Sequence, residues 1–372
     1  MPPPADLLAV RLSRLSALIA ESAVDALVVS HGPNLRYLFG VVASAGLAVV
    51  GPRGVTLVAD HRYRDAFAAA AADLPEVEVV AVEVGSSYEE TLAAVLQRRQ
   101  VTAAGVEANA MTLARAGAVR RHLPATTRLV ETDGLIEGLR AVKDRWEQAV
   151  FRDAGWRLTE VAACILPKVS AGRSEREVAW DIEVALRGAG FERPAFETIV
   201  ASGPNGARPH HRAGDRRIEA GDLVVVDFGG VLDGYAVDMT RTVPVGHVSG
   251  ESQVWLAAVG AAQRAAIAAA TPGVRPSEID RAARAVLTGA GLGDRFVHGT
   301  GHGLGLEVHE RPTIGPRGDA TGPIAAGMVF TVEPGVYIPG SGGVRIEDDV
   351  LVTASGVERL TGAHPESEAH ES

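Results

Sequence analysis

LVVVDFGGVLDGYAVDMTRT, residues 223–242, reads as a β-hairpin with a charge problem. Two apolar runs flank Asp233-Gly234, a dipeptide that suits a two-residue type I′ turn because both residues tolerate positive φ. A turn there pairs Leu232 with Tyr235 and sets Asp227 opposite Thr240, with Asp238 as its diagonal neighbour. Side chains alternate across a strand with period two, so both aspartates share one face. An ionised carboxylate inside an apolar strand costs several kcal/mol, on the order of magnitude, unless it is paired or binds a cation.

A second carboxylate pair follows downstream. FTVEPGVY (330–337) and GGVRIEDDV (342–350) flank Pro339-Gly340-Ser341, and a three-residue turn there puts Glu333 directly opposite Glu347. Between the hairpins, HGTGHGLGLEVHE (298–310) carries His302 in a Gly-rich turn, whose missing side chains would let backbone approach a metal closely. One imidazole among four carboxylates suits Mn, Fe(II) or Co rather than structural zinc, often in pairs with bridging carboxylates. Two such ions roughly 3.5–4 Å apart form the usual hydrolytic pair, so the expected chemistry is metal-assisted hydrolysis.

The two pairs belong to two similar halves. Ser170-Ala171-Gly172, then a helix ending in Gly188-Ala189-Gly190, recurs at an offset of 101 as Thr271-Pro272-Gly273, then a helix ending in Gly289-Ala290-Gly291. Gly221-Asp222-Leu223 leading to Asp227 recurs at an offset of 106 as Gly327-Met328-Val329 leading to Glu333. Ser174 with Glu177 reads as a capping box opening the first helix, and Ser277 as the N-cap of the second.

With 372 residues, 47% of them hydrophobic and 22% charged, the chain is globular and long enough for two domains. Its formal charge of -10 argues against nucleic acid or an anionic membrane as partner, and two divalent ions would bring it to -6. A lone Cys164 excludes an intrachain disulfide and fits a reducing compartment. MPPPADLLAVRLSRL lacks the features of a signal peptide and no stretch has the length of a membrane span, which points to the cytoplasm.

Toward the N-terminus, helical and extended signals alternate to about Val130. A helix is predicted over Leu7 to Glu21, a strand over Ala26 to Ser30, strands over Gly46 to Val50 and Val55 to Ala59 around a Gly-Pro-Arg-Gly turn, and a helix over Arg64 to Ala72. Asp60-His61-Arg62-Tyr63 is either a contact to substrate or partner, or a strand-end turn. The apolar pattern fades between Gly134 and Lys143, before a long helix that begins around Asp144.

The order Asp227, Asp238, His302, Glu333, Glu347 with these flanks, together with SGPNGARPHH (202–211), resembles the creatinase and aminopeptidase family of "pita-bread" metallohydrolases. Within it the chain is similar to the Xaa-Pro peptidases, prolidase and aminopeptidase P. The resemblance covers the whole chain and is dense from Val142 to Leu360. It implies an α+β chain: a creatinase-like α/β N-terminal domain over residues 1–138, a linker over 139–143, and a pita-bread catalytic domain of duplicated α-plus-hairpin halves over 144–372.

Roles follow from the same resemblance. Asp227 would bind one metal, His302 and Glu333 the other, while Asp238 and Glu347 bridge. A hydroxide between the metals would attack the peptide bond before proline in short peptides, with Glu333 as general base. His210 would lie beside the substrate and His309 would steady the scissile carbonyl. Mn(II) is expected, with Co(II), Fe(II) or Zn(II) as alternatives, in a homodimer. Methionine aminopeptidases usually lack this N-terminal domain, and His210 and His309 favour the Xaa-Pro branch.

Several residues stay open. His210 and His211 could exchange roles. Arg345, two residues before Glu347 and on its face, could hold the glutamate pair, bind a substrate carboxylate or form a surface salt bridge. His298 either hydrogen-bonds beside the site or is structural, while His31, His61, His122 and His247 have no ligand partners at metal spacing, and His364 and His370 read as solvated. Several prolidases hold the substrate carboxylate with an arginine four residues after the second histidine, whereas this chain has Thr313 there and Arg311 out of register. Dipeptidase and aminopeptidase activities therefore remain side by side. The other readings are a creatinase-like amidinohydrolase acting on a small non-peptide and a pita-bread binding protein without catalysis.

Overall fold

A computed structural model of the chain describes residues 3–74 and 76–362, so His364 and His370 lie outside the described residues. These residues divide into two units, Met1–Arg140 and Ala141–Ser372. In the first, α1 (Ala5–Ala20) buries Leu8, Leu12, Leu15 and Ile19, the spacing of an amphipathic helix. There follow β1 (Ala26–Val29), α2 (Gly32–Phe39), β2 (Leu47–Gly51), β3 (Gly54–Ala59), α3 (Arg64–Ala72), β4 (Val77–Ala81), α4 (Tyr88–Arg98), β5 (Ala103–Glu107), α5 (Leu113–His122), β6 (Arg128–Thr132) and α6 (Leu135–Ala141). The strands form one mixed sheet in the order β4-β3-β2-β1-β5-β6, in which β1 is parallel to β5 and antiparallel to β2.

Two short helices depart from the sequence reading. α6 fills the stretch where the apolar pattern fades. α2 starts where Glu107, at the end of β5, accepts hydrogen bonds from the backbone of Ser30 (2.6 Å) and His31 (2.8 Å) and from Asn34 Nδ2 (2.7 Å). That partner lies more than seventy positions away, while Pro33 in the first turn and Gly40, with φ of 68°, at the C-cap are the local marks of the helix. Asp60 to Tyr63 form a turn after β3, with the Asp60 carboxylate accepting from the backbone and guanidinium of Arg62.

The second unit opens with α7 (Arg145–Ile165), whose N-cap Asp144 forms a capping box with Glu147. Then come α8 (Glu175–Gly188), β7 (Arg193–Pro194), β8 (Ile199–Ser202), β9 (Leu223–Leu232), β10 (Tyr235–Pro244), α9 (Gly250–Ala269) and α10 (Pro276–Gly289). The chain continues through β11 (Gly301–Gly303), β12 (Glu310–Ile314), β13 (Val329–Val332), β14 (Gly335–Ile338), β15 (Gly342–Arg345), β16 (Asp348–Thr353) and β17 (Gly356–Arg359). β9 pairs with β10, β7 and β8, a second sheet runs β12-β11-β13-β16-β17, and β14 pairs with β15. Phe151, Val226, Phe228 and Met239 pack in one apolar cluster with Val178 and Ile182 of α8, while Val259, Ile279, Phe330 and Val350 belong to another.

The internal duplication is visible in the backbone. α8 and α10 keep the offset of 101 at both ends, and the glycines before the equivalent strands, Gly221 and Gly327, adopt φ of 96° and 93°. Ser174 caps α8 through a capping box with Glu177, as expected. Ser277 is not an N-cap: Arg275 occupies that position and Pro276 follows as the first helical residue, where its fixed φ and missing N–H cost nothing. Ser277 instead donates its hydroxyl to Asp319 (2.9 Å).

Register places the carboxylates. Asp233 and Gly234 take φ of 47° and 86°, Tyr235 pairs with Leu232, and Thr240 pairs with Asp227, as the turn predicts. The second hairpin keeps one register on both sides of the glutamates, with Gly335 opposite Arg345 and Val332 opposite Asp348. At Glu333 and Glu347 the ladder lapses, because Pro334 has no N–H to contribute. Glu333 N donates to Thr300 O (2.7 Å) and Glu347 N to Thr240 O (3.1 Å). Thr240 thus touches Asp227 on one side and Glu347 on the other, drawing the two hairpins into one row.

Candidate metal centre

Asp227 in β9, Asp238 in β10, His302 in β11, Glu333 after β13 and Glu347 between β15 and β16 line one cavity of about 580 Å³. His210, His309 and Arg345 line it too. Ligand atoms of Asp238, His302 and Glu347 lie within 4.8 Å of one another, and His302 Nε2 is 3.6 Å from Glu333 Oε1. The ladder shifts between His302 and Gly303, a bulge that re-aims the side chain. His302 Nδ1 donates to the Gly303 carbonyl (3.2 Å), which leaves Nε2 with a lone pair beside the carboxylates.

The glycines around His302 also let the neighbouring strands come close. A Cβ on Gly301 would strike the carbonyl oxygen of Thr331, and one on Gly303 the carbonyl oxygen of Arg311. β11 can enter between β12 and β13 only with glycine at these positions.

Negative charge accumulates here, and Arg345, paired with Asp227, compensates the four carboxylates only in part. Asp227 Oδ1, Asp238 Oδ1 and Glu347 Oε1 are buried and have no hydrogen-bond partner among the described residues, although buried acceptors are nearly always satisfied. Burial, then the neighbouring Glu347 and Asp227, raise the pKa of Asp238 well above the usual carboxylate range. Burial, then Glu333 and Asp227, do the same to Glu347. Burial pushes Glu333 up to about 8 against the pull of Arg345, with Asp227 adding to the rise. Burial, with help from His309, pushes His302 down to about 4. Orphaned carboxylate oxygens beside a neutral imidazole form a donor set that fits divalent cations.

Arg345 is buried, which rules out a surface salt bridge, and it holds an aspartate rather than the glutamate pair. Its guanidinium donates to Asp227 Oδ2, to Thr240 Oγ1 (3.2 Å), to the Tyr337 hydroxyl (2.8 Å) and to Pro209 O (3.4 Å). With those bonds made, little of it is left for a substrate carboxylate. Tyr337 passes the chain on: its hydroxyl lies 2.8 Å from His298 Nε2, and His298 Nδ1 donates to Gly299 O (2.7 Å). His298 is thus a half-buried cavity-wall residue, pushed down to about 4 chiefly by desolvation.

His309 sits against His302, ring centroids 4.2 Å apart, and is lowered by burial and then by His210. Thr313 lies on β12 opposite His302 and is exposed, outside the cavity wall. Sequence reasoning did not single out Tyr337, Asp349 or Glu175. Tyr337 could have been found by parity, since it lies four positions after Glu333. Asp349 Oδ2 accepts from Asp238 N (2.9 Å), a pairing between segments 111 positions apart. Phe196, Ile199, Val297 and Val308 give the cavity an apolar wall.

Residues 149–354 match metallopeptidase family M24, and residues 11–142 match the creatinase/prolidase N-terminal domain. An Xaa-Pro dipeptidase of Pyrococcus horikoshii is 32% identical over 361 residues, covering 96% of this chain and 98% of the relative. The solved structure of an Xaa-Pro dipeptidase from Bacillus anthracis superposes with a TM-score of 0.91 at 31% identity, covering 96% of this chain and 98% of the other. An X-Pro aminopeptidase from Thermotoga maritima does so with a TM-score of 0.83 at 31% identity, covering 94% and 98%.

Proposed function

The chain belongs to metallopeptidase family M24, and from that premise we propose that it hydrolyses the Xaa-Pro bond of short peptides with two divalent metal ions. The observation that carries this reading is the cavity itself, where all the residues expected from the sequence meet around three orphaned carboxylate oxygens. Asp227 would hold one ion, His302 and Glu333 the other, with Asp238 and Glu347 shared. Mn(II) suits this oxygen-rich donor set, and Co(II), Fe(II) or Zn(II) could fill it. Bound there, two cations supply acidity to an attacking water and polarise the scissile carbonyl.

The chain's own groups do the rest. Glu333 takes the proton from the attacking water and returns it to the imino nitrogen of the leaving proline. His309 donates a hydrogen bond to the carbonyl oxygen as negative charge develops on it. His210 orients the substrate from the cavity rim. The wall of Phe196, Ile199, Val297 and Val308 offers the proline ring an apolar surface.

A peptide panel with added Mn(II) tests the proposal: Ala-Pro and Leu-Pro dipeptides, Xaa-Pro tripeptides and Ala-Ala controls. Cleavage before proline with Ala-Ala untouched is expected. Cleavage of tripeptides alone assigns an aminopeptidase. Inertness toward all of them overturns the peptidase reading and favours an amidinohydrolase acting on a small non-peptide.

A further inference from the structure

Glu175 is the first residue of α8, fully buried, and the capping box of that helix does not use it. Its Oε1 accepts from Ser202 N (2.8 Å), Ser202 Oγ (2.7 Å) and Asn205 Nδ2 (2.8 Å). Its Oε2 accepts from His211 Nε2 (2.8 Å) and Gly214 N (3.2 Å). Every one of these donors lies in residues 202–214, and they come from both ends of that segment. Backbone bonds repeat the stitch, with Arg176 N donating to Gly214 O (3.0 Å) and Glu175 N to Arg216 O (3.1 Å). Between the two sets of donors the segment carries Pro209, whose carbonyl accepts from Arg345, and His210 on the cavity wall.

We propose that Glu175 and His211 form a positioning pair that clamps residues 202–214 and thereby aims His210 into the cavity, an inference that rests on the peptidase reading above. The pair assigns the two adjacent histidines different tasks. An ionised carboxylate only accepts, so His211 must present Nε2–H to Glu175, which commits its ring to the clamp. Among the described residues no side-chain hydrogen bond anchors the His210 ring, which depends on its neighbours for its place. A carboxylate suits this position because the first turn of a helix favours negative charge and its two oxygens can serve several donors at once. Glutamine would keep the volume but would have to turn an NH₂ group toward one of the two sets of donors.

The test uses the full metal-loaded chain with Glu175→Gln, His210→Ala, His211→Leu and the double variants that include His210→Ala. Three quantities are read: kcat and KM on an Xaa-Pro peptide, bound metal, and amide hydrogen exchange across residues 203–214. Glu175→Gln is expected to lower kcat/KM by about ten- to a hundred-fold, the upper figure being that for a group misplaced by about 1 Å, with metal content unchanged and exchange in the segment accelerated. In the His210→Ala background the same substitution should add less than about a two-fold effect, because coupled residues are not additive. Multiplicative losses in the double variant, or unchanged exchange, would overturn the proposal, since a merely structural role predicts them. Should Glu175→Gln fail to fold, His211→Leu reads the same cycle by removing one bond at the rim. A wild-type chain inert toward every peptide sinks the peptidase reading alone; exchange then decides the clamp, and an unchanged segment 203–214 refutes it.

Discussion

In the proposed mechanism Glu333 combines two demands on one carboxylate, holding a cation and moving a proton. Glu333→Gln keeps the shape and removes the base, so kcat on an Xaa-Pro peptide should fall by about 10²- to 10⁴-fold while circular dichroism stays unchanged. Near-normal turnover at full metal occupancy would refute the assignment. Arg345 is consumed by Asp227, Thr240 and Tyr337, which leaves Arg212 as an exposed guanidinium on the cavity wall, paired with an equally exposed Glu197 (3.2 Å). Arg212→Ala should raise KM for Xaa-Pro dipeptides by about two- to five-fold, the scale of a solvent-exposed ion pair, and leave C-terminally amidated peptides alone. Equal effects on both would dismiss Arg212 as the carboxylate contact. At this scale the sequence revealed residues whose chemistry clashes with their surroundings, such as Asp227 in an apolar run. It hid residues whose meaning is a partner, as with Glu175, whose acceptor role depends on donors 27 to 39 positions away.

Strand register was the most legible feature at the level of elements, because parity and turn length are local. Asp233-Gly234 alone determines that Asp227 faces Thr240. What parity could not foresee is the lapse at Pro334, where Glu333 and Glu347 keep their register but their backbone amides bond Thr300 and Thr240. α2 is marked locally by Pro33 in its first turn and Gly40 at its C-cap, and only the tie of its start to Glu107 is distant. The Gly-rich turn is a place of close approach, and the groups that approach it in the fold are the Thr331 and Arg311 carbonyls. Gly301→Ala therefore forces β11 away from β13 and displaces His302. Unfolding in urea should show a loss of about 1–3 kcal/mol, the usual cost of overpacking, together with weaker Mn(II) binding by calorimetry. An unchanged midpoint and affinity would show that the strands yield at no cost and that the glycine is incidental.

On the scale of the whole molecule, the formal charge of -10 includes the site carboxylates, and the apoprotein must accommodate them without a cation. In the metal-free fold Glu333 is raised to about 8, and Asp238 and Glu347 are raised as well, whereas unfolded carboxyls ionise near 4. The native state then binds more protons than the unfolded one, so this contribution to stability is lost as pH climbs through the folded pKa. His302 and His298 oppose it: lowered to about 4 from about 6.5, they favour the fold increasingly as pH rises to about 6.5 and add nothing further beyond. From pH 6.5 to 8 the carboxyls act alone. Chelated protein should lose thermal stability steadily across that window. Mn(II) at 100 times its Kd should restore about 2.7 kcal/mol, and the gap in Tm between loaded and chelated protein should widen toward pH 8, where protons no longer compete for the carboxylates. Scanning fluorimetry in EDTA and in Mn(II) at half-unit steps measures both curves. If the chelated protein melts at the same temperature throughout, the carboxylates are compensated without a cation, and the case for a metal centre loses its main physical support.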